Sequence, residues 1–177
     1  MAAKAAFETL RRVWAHAGLS SKRKLRIFDA CIMSQLCYGL SSVQLNTAEV
    51  RRLNGFQAQC LRKLLGIAHS YWSHISNAEV LKTAGQAKIS LRLQQQQMVL
   101  MGRIARGELG HQARACFFLD NSCELRPLPG VRRVGRPRHT WIQSVYEHSL
   151  KAAGCIQNLE NLLTAGEHAS RRWKAVV

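Results

Sequence analysis

Residues 46–67 of this 177-residue chain, NTAEVRRLNGFQAQCLRKLLGI, give the clearest evidence of its architecture because they carry every signal of one amphipathic helix. Asn46 and Glu49 predict a capping box, in which the two side chains satisfy each other's free backbone amides at the helix start. Gly66 is placed to end the helix in a left-handed conformation. Apolar residues recur every three or four positions and predict one buried face: Val50, Leu53, Phe56, Cys60, Leu61 and Leu64.

The segments on either side show the same periodicity. Ser76 and Glu79 repeat the capping-box signal, and Ser21 is placed to cap a helix of its own. By these rules we predict helices over residues 3–16, 21–40, 76–85, 89–106 and 141–154, with one or two short helices after them. No segment alternates apolar and polar residues over four or more positions, so we predict an all-α fold, a multi-helix bundle.

Residues 120–139 interrupt this pattern with all three prolines of the chain, two glycines and five arginines. Such a segment has no helical periodicity and is typical of a linker. We therefore predict three parts: a helical domain over residues 1–119, a basic Pro/Gly linker over 120–139 and a short C-terminal helical segment over 140–177.

The chain is strongly basic, with 26 Lys and Arg against 10 Asp and Glu and a formal net charge of +16. Its 47% hydrophobic content is enough for a folded core and argues against a disordered tail. Charged residues interrupt every apolar run, so we expect no membrane span. The early basic residues Lys4, Arg11 and Arg12, with few acids among them, leave an organelle transit peptide as an alternative.

The sequence offers little catalytic chemistry. Asp29 and Asp120 are the only aspartates, whereas a two-metal polymerase or nuclease site needs carboxylates that converge on ions about 4 Å apart. Asp29 follows Arg26 by one helical turn and is predicted to pair with it. No metal-ligand spacing, phosphate-binding loop or nucleophile motif occurs, so we expect no enzyme, no metal and no cofactor. His69 and His74 flank two aromatic residues and are predicted to be surface or packing residues.

The basic residues cluster in three places. On the central helix, Arg51 and Arg62 are eleven residues apart, which predicts side chains within about 20° of each other and about 16 Å apart along the axis. Arg52 and Lys63 repeat this register one step around the helix. Small or polar residues lie between these pairs and would let a phosphate backbone approach the helix: Asn54, Gly55, Ala58 and Gln59.

The second cluster lies in the first turn of a helix, where the helix dipole disfavours cations: Lys22, Arg23, Lys24 and Arg26. The third is in the linker, where each guanidinium can donate two hydrogen bonds to phosphate oxygens: Arg126, Arg132, Arg133, Arg136 and Arg138. Together the clusters predict nucleic acid as the partner, bound through its phosphates with strong salt dependence. A solvated charged face that only aids solubility is the competing interpretation.

Several ordered motifs resemble reverse transcriptases of LINE-type non-LTR retrotransposons. Similarity to the segment after the polymerase palm lies in KLRIFDAC at 24–31, LCYG at 36–39, RRL at 51–53, FQ at 56–57 and CLRKLLGI at 60–67. Similarity to the C-terminal tail of those polyproteins lies in GRPR at 135–138, Trp141, AG at 153–154 and RRW at 171–173.

This resemblance covers residues 4–177 and implies a thumb-like bundle with a C-terminal extension, a region that grips template and primer. It implies RNA or RNA–DNA hybrid as the ligand and the missing palm and fingers as a further partner. It also implies that the protein is located in a nuclear or cytoplasmic ribonucleoprotein. The palm with its paired aspartates lies outside this sequence, so binding without polymerisation is expected. Two alternatives stay open, namely a helical protein-interaction module and an organelle-targeted RNA-binding protein. Trp141 is expected to pack the tail helix rather than stack on a base.

Overall fold

A computed structural model describes residues 2–16, 18–120, 122–127, 140–164 and 168–177. Within these ranges the chain is helical and contains no strand; one isolated antiparallel bridge joins Phe118 and Leu125. The predicted all-α, multi-helix fold is confirmed.

The α-helices of the described residues are α1 (Ala2–Thr9), α2 (Arg11–Ala15), α3 (Ser21–Ile27), α4 (Ser34–Cys37), α5 (Thr47–Leu65), α6 (Ser70–Ser73), α7 (Asn77–Ala84), α8 (Ile89–Ala105), α9 (His111–Phe117), α10 (Trp141–Ala153), α11 (Ile156–Thr164) and α12 (Ala169–Val176). A π-helical turn (Phe28–Met33) joins α3 to α4, and a 3₁₀ turn (Leu40–Ser42) follows α4.

Packing divides the chain into two compact units, Met1–Leu93 and Gln94–Val177, and the division falls inside α8. Each unit has its own hydrophobic core. The predicted division into 1–119, 120–139 and 140–177 stays a prediction, since residues 128–139 of the predicted linker lie outside the described ranges.

An aromatic cluster forms part of the first unit's core. The Phe7 ring stacks on Trp14 with centroids 5.2 Å apart and meets Phe28 edge-on at 6.1 Å. Trp14 Nε1 donates a hydrogen bond to the Phe7 carbonyl at 2.8 Å. The predicted single helix over 3–16 is wrong because Leu10 (φ −84°, ψ 12°) separates α1 from α2. That break accompanies the burial of both Phe7 and Trp14.

The helical path from α3 to α4 differs from the prediction at both ends. Ser20, not Ser21, is the N-cap, and its Oγ accepts a hydrogen bond from the Arg23 amide at 3.4 Å. The regular path stops at Cys37 instead of Leu40, before Gly39 with φ 74°. Between α3 and α4 the wider π-helical turn contributes three side chains to the core: Phe28, Ile32 and Met33.

The predicted start and end of α5 are confirmed. Asn46 Oδ1 accepts from the Glu49 amide at 2.9 Å, and Glu49 Oε2 accepts from the Asn46 amide at 2.7 Å. Gly66 ends the helix with φ 68°. The same capping arrangement begins α7 at Ser76 and Glu79, again as predicted. These caps fix where the two helices start because they satisfy amides that have no partner within the helix.

In the second unit, α12 is anchored by Trp173, which is fully buried. Its indole Nε1 donates to the Met98 carbonyl of α8 at 2.8 Å. The ring lies against Gly102, where a Cβ atom would come within 2.5 Å of Trp173 Cδ1. Trp141 packs in this unit's core, with its ring 6.3 Å from that of Phe117, as predicted for the tail helix.

Candidate nucleic-acid interface

The first unit carries most of the excess positive charge, with 14 Lys and Arg against 4 Asp and Glu. Each of these four acids already has a partner. Glu49 and Glu79 accept from N-cap amides in their capping boxes. Glu8 pairs with Lys63 at 2.8 Å, and Asp29 accepts from Gln86 at 2.8 Å and lies 3.4 Å from Arg92. The remaining cations of the unit therefore have little carboxylate available to neutralise them.

On α3, the predicted cation cluster is exposed at three of its four positions, Lys22, Arg23 and Arg26. Lys24 is half-buried, and its Nζ donates to the Trp14 carbonyl at 2.7 Å, so it holds α2 against α3. The predicted pair between Arg26 and Asp29 is wrong, because the Asp29 carboxylate faces Arg92 instead. Arg26 is thereby left available on the helix surface.

On α5, Arg51 and Arg52 are exposed as predicted, but Arg62 is buried. The Arg62 guanidinium donates to the Ala68 carbonyl at 3.0 Å, to Asn77 Oδ1 at 3.2 Å and, by a short bond, to the Ile75 carbonyl. The expectation that Arg62 lies on the surface is therefore wrong. Although the spacing places both arginines on one side of α5, the following chain covers that side at Arg62.

Lys63 is exposed but already forms an ion pair within the protein. Its Nζ lies 2.8 Å from Glu8 Oε1 and 5.6 Å from the centroid of the Phe7 ring. The Lys63 ammonium lowers the pKa of the Glu8 carboxyl through this hydrogen bond and its charge. The expected register of two cation pairs three turns apart on α5 is therefore not present, because the second pair is occupied within the protein.

The residues predicted to form an open surface between those pairs are open only in part. Gln59 is exposed, whereas Ala58 is buried at 1% exposure. Asn54 Oδ1 accepts from the Ser90 amide at 3.2 Å. The neighbouring Gln57 is fully occupied between the Ala87 carbonyl and the Ile89 amide, each at 2.8 Å. This part of α5 contacts the chain leading into α8 and is not a smooth path for a phosphate backbone.

Five predicted cations remain exposed and form no ion pair or side-chain hydrogen bond with another described residue. We name them the open cations: Lys22, Arg23, Arg26, Arg51 and Arg52. In the third cluster, Arg126 lies 3.6 Å from Asp120. The other four predicted residues of that cluster lie outside the described ranges: Arg132, Arg133, Arg136 and Arg138.

No family model, curated protein or solved structure matches this chain.

Other chemistry is sparse in the described part of the chain. No group of three His, Cys, Asp or Glu side chains there is arranged to hold a metal ion. The six cysteines are free thiols. Burial raises the pKa of Cys60 to about 12, which keeps this thiol protonated and unreactive at neutral pH. None of the described helices is long and apolar enough to span a bilayer.

One feature of the surface is not predicted by the charge pattern. Tyr71 and Trp72, on the short helix α6, are exposed at 72% and 76%. His69 and His74 on either side are exposed as well, so of the two predicted positions, surface or packing, the structure has them on the surface. The sequence does contain one signal of this exposure, namely that the two aromatic residues are adjacent. Adjacent side chains point about 100° apart on a helix, so both rarely lie on one buried face.

Proposed function

We propose that this chain binds nucleic acid through its phosphates and catalyses no reaction. The observation that carries the proposal is the set of five open cations, in a unit whose four acids are all occupied elsewhere. Within the protein nothing described neutralises them. A polyanion supplies the missing opposite charge and releases its own condensed counterions on binding.

The arrangement on α3 supports this proposal. Arg23 and Arg26 are three residues apart and Lys22 and Arg26 are four apart, so these cations are neighbours on the helix surface. Like charges at these spacings destabilise a helix, and cations in a first turn also oppose its dipole. α3 has no acid in its first turn to offset either effect. The presence of these cations despite both the repulsion and the unfavourable dipole is consistent with selection for an anionic ligand.

The resemblance to LINE-type reverse transcriptases favours RNA or RNA–DNA hybrid as the ligand. In that interpretation the chain acts as a non-catalytic, thumb-like segment that holds template and primer beside a separate palm and fingers. Arginine suits this role because its planar guanidinium donates two parallel hydrogen bonds to one phosphate. Four of the five open cations are arginine: Arg23, Arg26, Arg51 and Arg52.

The salt dependence of binding tests the proposal. If all five open cations contact phosphates, the slope of log K against log salt is about −3.5 on a single strand and about −4.5 on a duplex, taking about 0.7 and 0.9 per contact. Affinity for single-stranded RNA then falls about a hundredfold between about 50 and about 200 mM salt. Fluorescence anisotropy with labelled RNA and an RNA–DNA hybrid of equal length measures both slopes.

A charge-matched pair of variants localises the effect. Replacing Lys22, Arg23 and Arg26 together by Gln lowers the single-strand slope by about 2 in magnitude. The control replaces three exposed cations of the second unit by Gln: Lys151, Arg171 and Lys174. Equal weakening by both variants contradicts a localised interface. Binding that is absent or indifferent to salt contradicts the proposal as a whole and favours a protein-interaction module.

A further inference from the structure

The two exposed aromatic residues of α6 form a defined pair. The ring centroids of Tyr71 and Trp72 are 5.1 Å apart and the ring planes are perpendicular, at 90°. In such an edge-to-face pair each ring keeps at least one open face. By contrast, Trp14 and Trp173 are 7% and 0% exposed and belong to the cores of the two units.

The backbone that carries this pair is held in place by the buried Arg62. Its guanidinium binds the chain before α6 at the Ala68 carbonyl and the chain after α6 at the Ile75 carbonyl. Ser73 Oγ also donates to the Ala68 carbonyl at 3.2 Å, which closes the turn. Because the segment is already fixed, little conformational freedom is lost when a ligand contacts the rings.

The chain segment that carries the pair contains no acidic residue. No Asp or Glu occurs between Glu49 and Glu79 in the sequence. The residues next to the two rings in α6, Ser70 and Ser73, are small and hydrophilic, so α6 itself contributes no apolar side chain beyond the two rings. Exposed aromatic rings in an acid-free segment of a basic unit suit nucleobases, because no carboxylate of that segment repels the adjoining phosphates.

We infer that Tyr71 and Trp72 stack on unpaired bases, so that the ligand of this chain is single-stranded nucleic acid or a junction with unpaired nucleotides. This inference rests on the proposed function and specifies its ligand. The open cations hold phosphates, and the two rings of α6 distinguish unstacked bases from a duplex, in which base faces are covered by their neighbours. Stacking on aromatic side chains is tolerant of sequence, so no base preference is expected.

The test compares two oligonucleotides with the full-length chain, a single-stranded oligo-U of about 16 nucleotides and a duplex with the same number of phosphates per strand. Replacing Tyr71 and Trp72 together by Ala weakens binding of the single strand by about five- to hundredfold and leaves duplex binding unchanged within about twofold. Trp72→Phe retains most of the affinity, because it keeps an aromatic face. Oligo-U quenches the fluorescence of the wild-type protein, and Trp72→Phe removes that quenching.

The outcomes separate the inference from the proposed function. Unchanged single-strand affinity in the double Ala variant, with salt-dependent binding retained, overturns the stacking role and favours a protein-docking role for α6. Equal losses on single strand and duplex overturn it as well, because stacking on unpaired bases is then not what the rings contribute. If neither oligonucleotide binds the wild-type chain, the proposed function itself fails. Both residues are exposed, so an unchanged urea midpoint shows that the variant is folded.

Discussion

Replacing Arg62 by Ala tests how α5 is tied to the chain that follows it. The variant removes the donors to the Ala68 and Ile75 carbonyls and to Asn77 Oδ1. A hydrogen bond from a charged donor contributes about 1.5–3 kcal/mol, so the two carbonyl contacts alone amount to about 3–6 kcal/mol. Since the freed carbonyls can partly turn to water, we expect a loss of about 3–5 kcal/mol in the free energy of unfolding.

Urea unfolding followed by circular dichroism measures the loss, and amide hydrogen exchange shows where it acts. We expect residues 67–77 to exchange faster in the variant than in the wild-type protein, because Arg62 no longer joins the two ends of that segment. Arg51→Ala is the matched control, since it removes the same side chain from an exposed site of the same helix and costs within about 0.5 kcal/mol. Arg62→Lys recovers less than half of the loss, because one ammonium cannot reproduce the planar fork.

An unfolding free energy for Arg62→Ala within about 1 kcal/mol of the wild type would refute this reasoning. It would mean that the Arg62 side chain can turn outward to solvent, and a contact between Arg62 and a phosphate would then be expected. Unchanged exchange over residues 67–77 would lead to the same conclusion independently of the global stability.

Three further predictions concern packing and titration. Gly102→Ala lowers the unfolding free energy by about 1–3 kcal/mol in thermal or urea unfolding, because the new Cβ meets the buried Trp173 ring at 2.5 Å and this outweighs the helix propensity of Ala. Lys63→Met raises the pKa of Glu8 toward its ordinary value in an NMR titration. In the wild-type protein the lowered pKa of folded Glu8 stabilises the fold at pH values above the ordinary pKa of Glu. This stabilisation is lost as the pH falls through the pKa of Glu8 in the folded state. A thiol reagent under native, near-neutral conditions modifies Cys60 only after unfolding, but modifies the exposed thiols rapidly: Cys31, Cys116 and Cys155.

Local signals in the sequence were enough to predict the helix boundaries that depend on neighbours within one turn. The capping boxes at Asn46 and Ser76 and the glycine end at Gly66 all involve residues at most five positions apart, and all three are confirmed. The breaks at Leu10 and in the π-helical turn were not predictable in this way. They depend on how large side chains such as Trp14 fit into the core, which helical periodicity does not encode.

The candidate interface shows the same limit. Exposure of Lys22 and Arg51 follows from a polar position on an amphipathic helix, and the prediction needs no tertiary information. The burial of Arg62 depends on a chain segment that returns over the helix, and the Lys63 partner Glu8 is 55 residues away. Spacing along a helix gives the direction of a side chain, but only the tertiary structure shows whether solvent or protein lies there.

The shortage of unoccupied acids in the first unit has a consequence for its behaviour in solution. Its open cations repel one another and no acid of the described residues pairs with them, so dilute buffer destabilises the folded unit and multivalent anions stabilise it. Sulfate or polyphosphate should thus raise its melting temperature more than chloride at equal ionic strength. A purification in plain low-salt buffer would then select for molecules that still carry anions from the host cell.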